Sequence, residues 1–301
     1  MGAALAEVEG AAVVSGGIDS SRPFIPEWLT PLFHTPFYRR LTEEQRLRYN
    51  QLHACYFNEQ TIFFESLMAR PILSCFTARP LPDDLVSGLR VFMAEEARHS
   101  AMFRALNRQC FPQRYAKQDF FFIRVPSTTL RLLGIWVRHP SLFPLFIWLL
   151  LIEEERALFY AKEFLKASSQ LEPHFVAAQK MHLADEVGHI HWDEALLDEV
   201  WPRTGRLLRR LNARLFRWLV GEFFNTPKRG GIRVIEQLVD EFPSLRPELP
   251  VMRKQVSGLA RNRDYHQTLY SRAITPKSFR RFDANPEFLK MGDVLLAYTP
   301  A

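Results

Sequence analysis

Apolar residues recur at helical spacing along most of this 301-residue chain, and runs that alternate β-branched with polar residues are missing. The pattern predicts a nearly all-α protein. Thr42-Glu43-Glu44-Gln45 has the form of a capping box and should open a first long helix. That helix should run to about Phe76, ahead of the breaker Ala78-Arg79-Pro80-Leu81-Pro82. A second helix should start at Asp83-Asp84, where acids suit the positive end of the helix dipole, and stop before Pro112. The stretch 111–128 is a connection with no predicted form. Ser141 is the expected N-cap of a third helix that continues to about Lys166. Ser168-Ser169-Gln170-Leu171-Glu172-Pro173 should break it, and a fourth helix should follow to about Val200. Further helices are predicted at about 204–224, 231–241 and 247–272, with an irregular tail after Pro276. No low-complexity linker divides the chain. Residues 26–301 are therefore expected to form one helical domain, a four-helix bundle over about 42–200 with C-terminal helices over about 204–275, preceded by a flexible arm at 1–25.

The most apolar segment, Leu142 to Ile152, is too short for a membrane span, which needs about 20 residues, and it runs into Glu153-Glu154-Glu155. A helix apolar all round is expected at the buried centre of a bundle. Glycine is scarce at 13 residues, and 25 Phe, 8 Tyr and 6 Trp suit wide helix contacts and the walls of a ligand pocket. Cys55, Cys75 and Cys110 show no CxxC spacing, which fits a reducing cytoplasm rather than a disulfide framework. The first residues lack the basic region of a signal peptide. The net charge of +6 is partly concentrated between Arg203 and Arg217, where six arginines and no acids occur. Arg206, Arg210, Arg214 and Arg217 share a helical face, with Leu207, Leu208, Leu211, Leu215 and Trp218 expected largely elsewhere. The plain expectation is a solvated face. A docking site for an acidic partner such as an electron-transfer protein is the alternative. No nucleic-acid recognition motif is present.

The chemistry lies in a repeat. The interval from Glu65 to Glu96-Ala97-Arg98-His99 equals the interval from Glu155 to Glu186-Val187-Gly188-His189. Each unit is a lone glutamate on one helix followed by Glu-x-x-His on the next. The lone glutamate stands nearly as far before the interhelical break as the second glutamate stands after it. An antiparallel pair rises equally on both arms, so the two should meet at one depth. His182 lies on the same face as Glu186 and His189. Glu65, Glu96, His99, Glu155, His182, Glu186 and His189 are thus the predicted ligands of a dinuclear centre. A mixed oxygen and nitrogen set without thiolates suits iron or manganese. Four carboxylates buried without cations would repel one another. Asp185 and Glu95, each preceding a motif glutamate, can accept a hydrogen bond from a histidine of the other pair, and Arg98 can pair with such an acid.

Each piece has a plainer explanation. A single Glu-x-x-His is common on solvated helices, Glu153-Glu154-Glu155 alone resembles a surface charge run, and His182 alone resembles a hydrogen-bonded core histidine. The repeated interval, loop symmetry, preceding acids and apolar flanks together favour the metal. Glu59 is an alternative to Glu65, which is preferred for its interval. His53, His174, His191 and His266 carry no pairing argument, although His191 is expected near the site.

These residues resemble the ferritin-like diiron N-oxygenases of the p-aminobenzoate N-oxygenase type, over roughly residues 40–200. That family carries two copies of Glu, a long spacer and Asp-Glu-x-x-His, with an extra histidine before the second copy. The pattern falls on Glu65, Glu96 and His99, then on Glu155, Asp185, Glu186 and His189, with His182 as the extra histidine. Glu95 departs from it, since the family has Asp there. The first spacer is shorter than usual with Glu65 and longer with Glu59, so both stay open. The resemblance implies two iron ions, dioxygen as co-substrate, and stepwise oxidation of an aryl amine through hydroxylamine to nitroso or nitro. It also implies a small-molecule substrate and an external electron donor of the ferredoxin or reductase kind. Neither nucleic acid nor a membrane span is expected, and a homodimer is compatible. C–H hydroxylation or desaturation at the same centre is a second reading. Iron storage is a third, which the long C-terminal extension disfavours.

Overall fold

The computed structural model describes residues 16–225 and 229–301, and among these there is no strand. The first helix, α1 (Glu43–Phe64), opens on the predicted capping box: Thr42 Oγ1 accepts from Gln45 N, and the Gln45 side chain accepts from Thr42 N. It runs without a break into a π-helical turn (Glu65–Ala69) and then α2 (Arg70–Thr77). After a short loop at 78–82 comes α3 (Asp83–Cys110). A short α4 (Pro112–Tyr115) follows, and then α5 (Ser127–Val137), a helix the sequence pattern did not predict. Its polar first turn and Gly134 blur the apolar periodicity.

The second pair is α6 (Leu145–Lys166) and α7 (Pro173–Val200). The α6 helix starts later than expected, with Pro144 rather than Ser141 at the cap, a position that needs no amide donor. Every position of α6 from Leu145 to Glu155 is buried, so this half of the helix is enclosed on all sides. Where α3 meets α7, Gly88 lies under Trp192, whose ring would sit 2.3 Å from a Cβ at that position. No larger residue permits that approach.

Beyond the bundle run α8 (Arg206–Leu219), a second π turn (Val220–Phe224), α9 (Gly230–Glu241), α10 (Leu249–Gly258) and α11 (Arg263–Leu269). The tail after Pro276 is not irregular. It forms α12 (Pro276–Asp283) and a 3-10 segment (Pro286–Asp293), because Phe279, Phe282 and Phe288 give it an apolar side, with Phe282 and Phe288 against Trp148 of α6. The C-terminal elements brace different parts of the bundle. α9 packs on α1, and α12 packs on α6. Of the expected N-terminal arm, 1–15 lie outside the described residues. Phe24 is buried and stacks on Phe175, and Asn50 Oδ1 accepts from the amides of Phe24 and Ile25.

Candidate metal centre

Four helical arms bring two clusters of buried donors together at mid-bundle. Glu65, His99 and His182 form one. Glu96, Glu154, Glu186 and His189 form the other. Within each, one donor atom per residue lies within 4.8 Å of the rest. Two carboxylates stand between the clusters. Glu96 Oε1 is 3.6 Å from His99 Nδ1 and 3.4 Å from His189 Nδ1. Glu186 Oε1 is 2.7 Å from His182 Nε2 and 3.7 Å from His189 Nδ1.

Six of the seven predicted residues therefore converge, and Glu155 does not. Its carboxylate turns to α12, accepting from Lys277 N at 2.7 Å and Ser278 N at 2.8 Å. It caps the free amides of that helix's first turn. Glu154, one position earlier and about 100° around the helix, faces the centre in its place. Helix arms, not intervals, are what the two halves share. Glu65 is as far from the end of its arm at Thr77 as Glu154 is from the end of its own at Lys166. Glu96 likewise lies as far beyond the start of its arm at Asp83 as Glu186 lies beyond Pro173. The connecting loops differ, 78–82 being one position shorter than 167–172. Carrying the first interval over unchanged therefore fell one position short in the second half. Counting back from the loop was the signal that would have found Glu154.

Glu59 also serves another purpose. Its carboxylate accepts from Tyr115 Oη, Phe121 N and Ile123 N, each at 2.7 Å, and from Phe122 N at 3.0 Å. It pins the connection after α4 over α1. Glu153, the first acid of the triplet, pairs with Arg156 and accepts from Tyr270 Oη at 2.5 Å.

The supports around the clusters cross between halves, as the sequence pattern predicted. Asp185 Oδ2 lies 2.9 Å from His99 Nε2 and takes a hydrogen bond from Arg98 Nη2 at 2.7 Å. Glu95 Oε2 lies 3.2 Å from His189 Nε2. Each acid holds the outer nitrogen of its histidine and leaves Nδ1 directed inward. The His189 ring is stacked on Phe92 with centroids 3.9 Å apart. A hydrogen-bonded chain also reaches Glu65. Ser100 Oγ donates to its Oε2 at 2.8 Å, Ser66 Oγ donates to Ser100 Oγ at 2.9 Å, and Arg104 Nη2 donates to Ser66 Oγ at 2.8 Å. Arg104 is in turn anchored by Asp119 at 2.8 Å.

The electrostatics are those of a site built for cations. Burial and the neighbouring Glu186 hold the Glu154 carboxyl well above the usual carboxylate range. Burial and Glu96 likewise raise Glu65. Burial would depress His182, but Glu186 and Glu65 carry its imidazole up to about 10. Several inward atoms lack a well-aligned hydrogen-bond partner among the described residues, Glu186 Oε1 despite His182 Nε2 at 2.7 Å: Glu65 Oε1, both oxygens of Glu96, both of Glu186, and Nδ1 of His99 and His189. Orphaned buried polar atoms cost about 1–3 kcal/mol each. So many in one place form a set of groups that could hold metal, and the donor types suit iron or manganese.

One cavity of about 560 Å³ opens onto Glu65, Glu154 and His182. Its walls are largely aromatic and aliphatic, with Phe57, Phe64, Trp136 and Tyr160 among them, and Arg156 lies in the wall beside Glu153. It lies between the bundle, α5 and the segment after α8. Gly230, in the wall, allows Tyr56 to pack 2.2 Å from where a Cβ would be.

Residues 15–239 match the family described as p-aminobenzoate N-oxygenase AurF. The chain belongs to this family. The match spans all the helices that carry the clusters and ends within α9, so the α12 brace on Glu155 lies beyond it. No curated protein matches the chain. Members of this N-oxygenase family are oxidoreductases, and the buried glutamates and histidines are groups that could hold metal. No helix among the described residues is long and apolar enough to cross a membrane.

Proposed function

We propose that this chain is a non-haem diiron oxygenase that N-oxygenates an aryl amine held in the cavity. The observation that carries the reading is the set of unpartnered oxygen and nitrogen atoms beside an apolar chamber. Glu65, His99 and His182 would hold one ion, and Glu154 and His189 the other, with Glu96 and Glu186 between them. Bound there, the two irons would supply the activation of dioxygen.

The protein's own part follows from its geometry. Asp185 and Glu95 fix the ring orientations of His99 and His189. Ser100 fixes one oxygen of Glu65 and leaves the other directed inward. The aromatic walls exclude water and stack against an aryl ring, which directs its amino group toward the Glu65, Glu154 and His182 wall. Arg156 is neutralised by Glu153 and held by Tyr270, so its own charge is fixed in the wall. In the first oxidation, the amine, dioxygen, two electrons and two protons become the hydroxylamine and water. The electrons come from an external donor of the ferredoxin or reductase kind.

Elemental analysis of the purified protein should give about two irons per chain. The reduced iron form, exposed to air with an aryl amine, should yield the hydroxylamine, nitroso or nitro product by mass spectrometry. Oxidation of a fatty acyl substrate instead would replace this reading with hydroxylation or desaturation. Iron mineral with no organic product would replace it with storage.

A further inference from the structure

The cavity opens between two stretches of unusual composition. No acid occurs between Asp119 and Glu153, a stretch that contains Arg124, Arg131 and Arg138. None occurs between Glu199 and Glu222, a stretch that contains six arginines. α5 lies in the first stretch and α8 in the second. Both stretches contribute to the cavity wall, through Leu132 and Trp136 on one side and Trp218 and Leu219 on the other, with Phe223 just beyond.

Several outward side chains there are apolar. Leu132 is 54% exposed and Ile135 52%, while Leu207 is 80%, Leu211 49%, Trp218 52% and Phe223 47% exposed. The sequence pattern places the leucines of α8 largely off the arginine face, but Leu207 and Leu211 are exposed beside Arg206, Arg210 and Arg214. Leu207, Leu211, Arg214 and Trp218 follow at intervals of four, three and four, which places them on one outer stripe, with Arg210 beside it. The opposite face, with Asn212, Phe216 and Leu219, takes the packing against the fold. Arg203 pairs with Glu199, Arg209 with Glu287 and Arg217 with Asp293. Arg206, Arg210 and Arg214 form no ion pair among the described residues.

We propose that this face, the outer stripe of α8 with the exposed side of α5, seats the protein on an anionic phospholipid surface, with the cavity mouth on the docking side. Arginine interleaved with leucine and tryptophan along a single stripe suits a bilayer interface. There the apolar groups enter the acyl boundary and the guanidiniums stay among the phosphates. A protein partner more commonly meets an apolar centre with a charged rim. A second copy of this chain on a two-fold axis would set unpaired arginines against unpaired arginines. Such docking requires no spanning helix and does not depend on what the metal centre does.

The test is co-sedimentation of the full chain with vesicles of phosphatidylcholine alone and of phosphatidylcholine mixed with phosphatidylglycerol. The protein should pellet with the mixed vesicles only, less at high salt, with a blue shift of tryptophan emission. At about 1 kcal/mol per basic residue near the surface, the pair R210E and R214E should weaken binding at least tenfold. Leu207→Ser with Leu211→Ser should weaken it too, and Arg261→Glu with Arg263→Glu, exposed elsewhere, should not. Circular dichroism verifies that each variant is folded. No sedimentation of the wild type with the mixed vesicles at low salt would overturn the proposal. So would equal loss in the Arg261 and Arg263 control. Dimerisation in solution that R210E and R214E abolish would also overturn it, by assigning the face to a second copy.

Discussion

The two halves of the bundle present the same donors by different means. In the first half, the lone glutamate opens a π turn, and its neighbour of like appearance, Glu59, lies almost two helical turns earlier. In the second, α6 is regular throughout and the neighbour, Glu155, is adjacent to Glu154. On the first arm of each half, therefore, one of these two glutamates faces the centre and the other closes on backbone amides, of 121–123 in the first case and of 277–278 in the second. Burial raises both of these amide-bound carboxyls, and their donors hold the rise back. A buried glutamate in an apolar run is thus not enough to mark a ligand. What separates the classes is whether the carboxylate meets orphaned atoms or amides.

The sharpest way to break this pairing is Glu154→Ala against Glu155→Ala. The first should drop iron from about two to about one per chain. It should also lower N-oxygenation by more than about 100-fold, beyond the loss typical of a residue that only supports a ligand. The second should keep both irons. Iron lost from the Glu155 variant and kept in the Glu154 variant would reverse the assignment. His182→Ala, the donor with no counterpart in the first half, should fold normally by circular dichroism but lose N-oxygenation and bind iron more weakly. Full activity in that variant would remove His182 from the centre.

Glu59→Ala should act on stability alone. It strands the Tyr115 hydroxyl and three amides, at about 1–3 kcal/mol for a buried group left unpaired, with melting lowered by several degrees at unchanged iron content. Ser100→Ala should weaken iron binding roughly tenfold by freeing the outer oxygen of Glu65, with Ser100→Thr restoring it. The smallest effect concerns the brace between α9 and α1. Burial pushes Glu241 up, but Arg48 and Arg114 more than reverse it, so its carboxyl titrates below its ordinary value of 4.5. A depressed carboxylate adds stability above that value and loses it as pH falls below it. Glu241→Gln should therefore flatten the acid limb of a stability profile measured by thermal melting. An acid limb as steep as the wild type's would remove Glu241 from this role.

Much of this was legible in the chain because periodicity and local chemistry agree. The capping box at Thr42, the acids opening α3, and the crossed supports Asp185 and Glu95 all follow from short-range rules. The failures share a cause. Glu155, α5 and α12 depend on what a segment meets at long range. Helix phase fixes Glu154 only once the loop at 167–172 is known to be one position longer than that at 78–82. Phe279 and Phe282 read as an irregular tail until the side of α6 that carries Trp148 is beneath them.

The wide turn at Glu65–Ala69 limits how this protein can vary. A π turn holds one residue more than the α-helical turn it replaces, so losing one residue from 66–69 would restore a regular α-helix and leave everything beyond it close to its present phase. Ile72, Leu73 and Phe76 would keep their places in the core, whereas the loss of one residue from the regular helix α1 would turn them by about 100° relative to its start. Descendants of this chain can shorten the helix within that stretch if Glu65 is kept, but single-residue losses from the regular part of α1 should be purged.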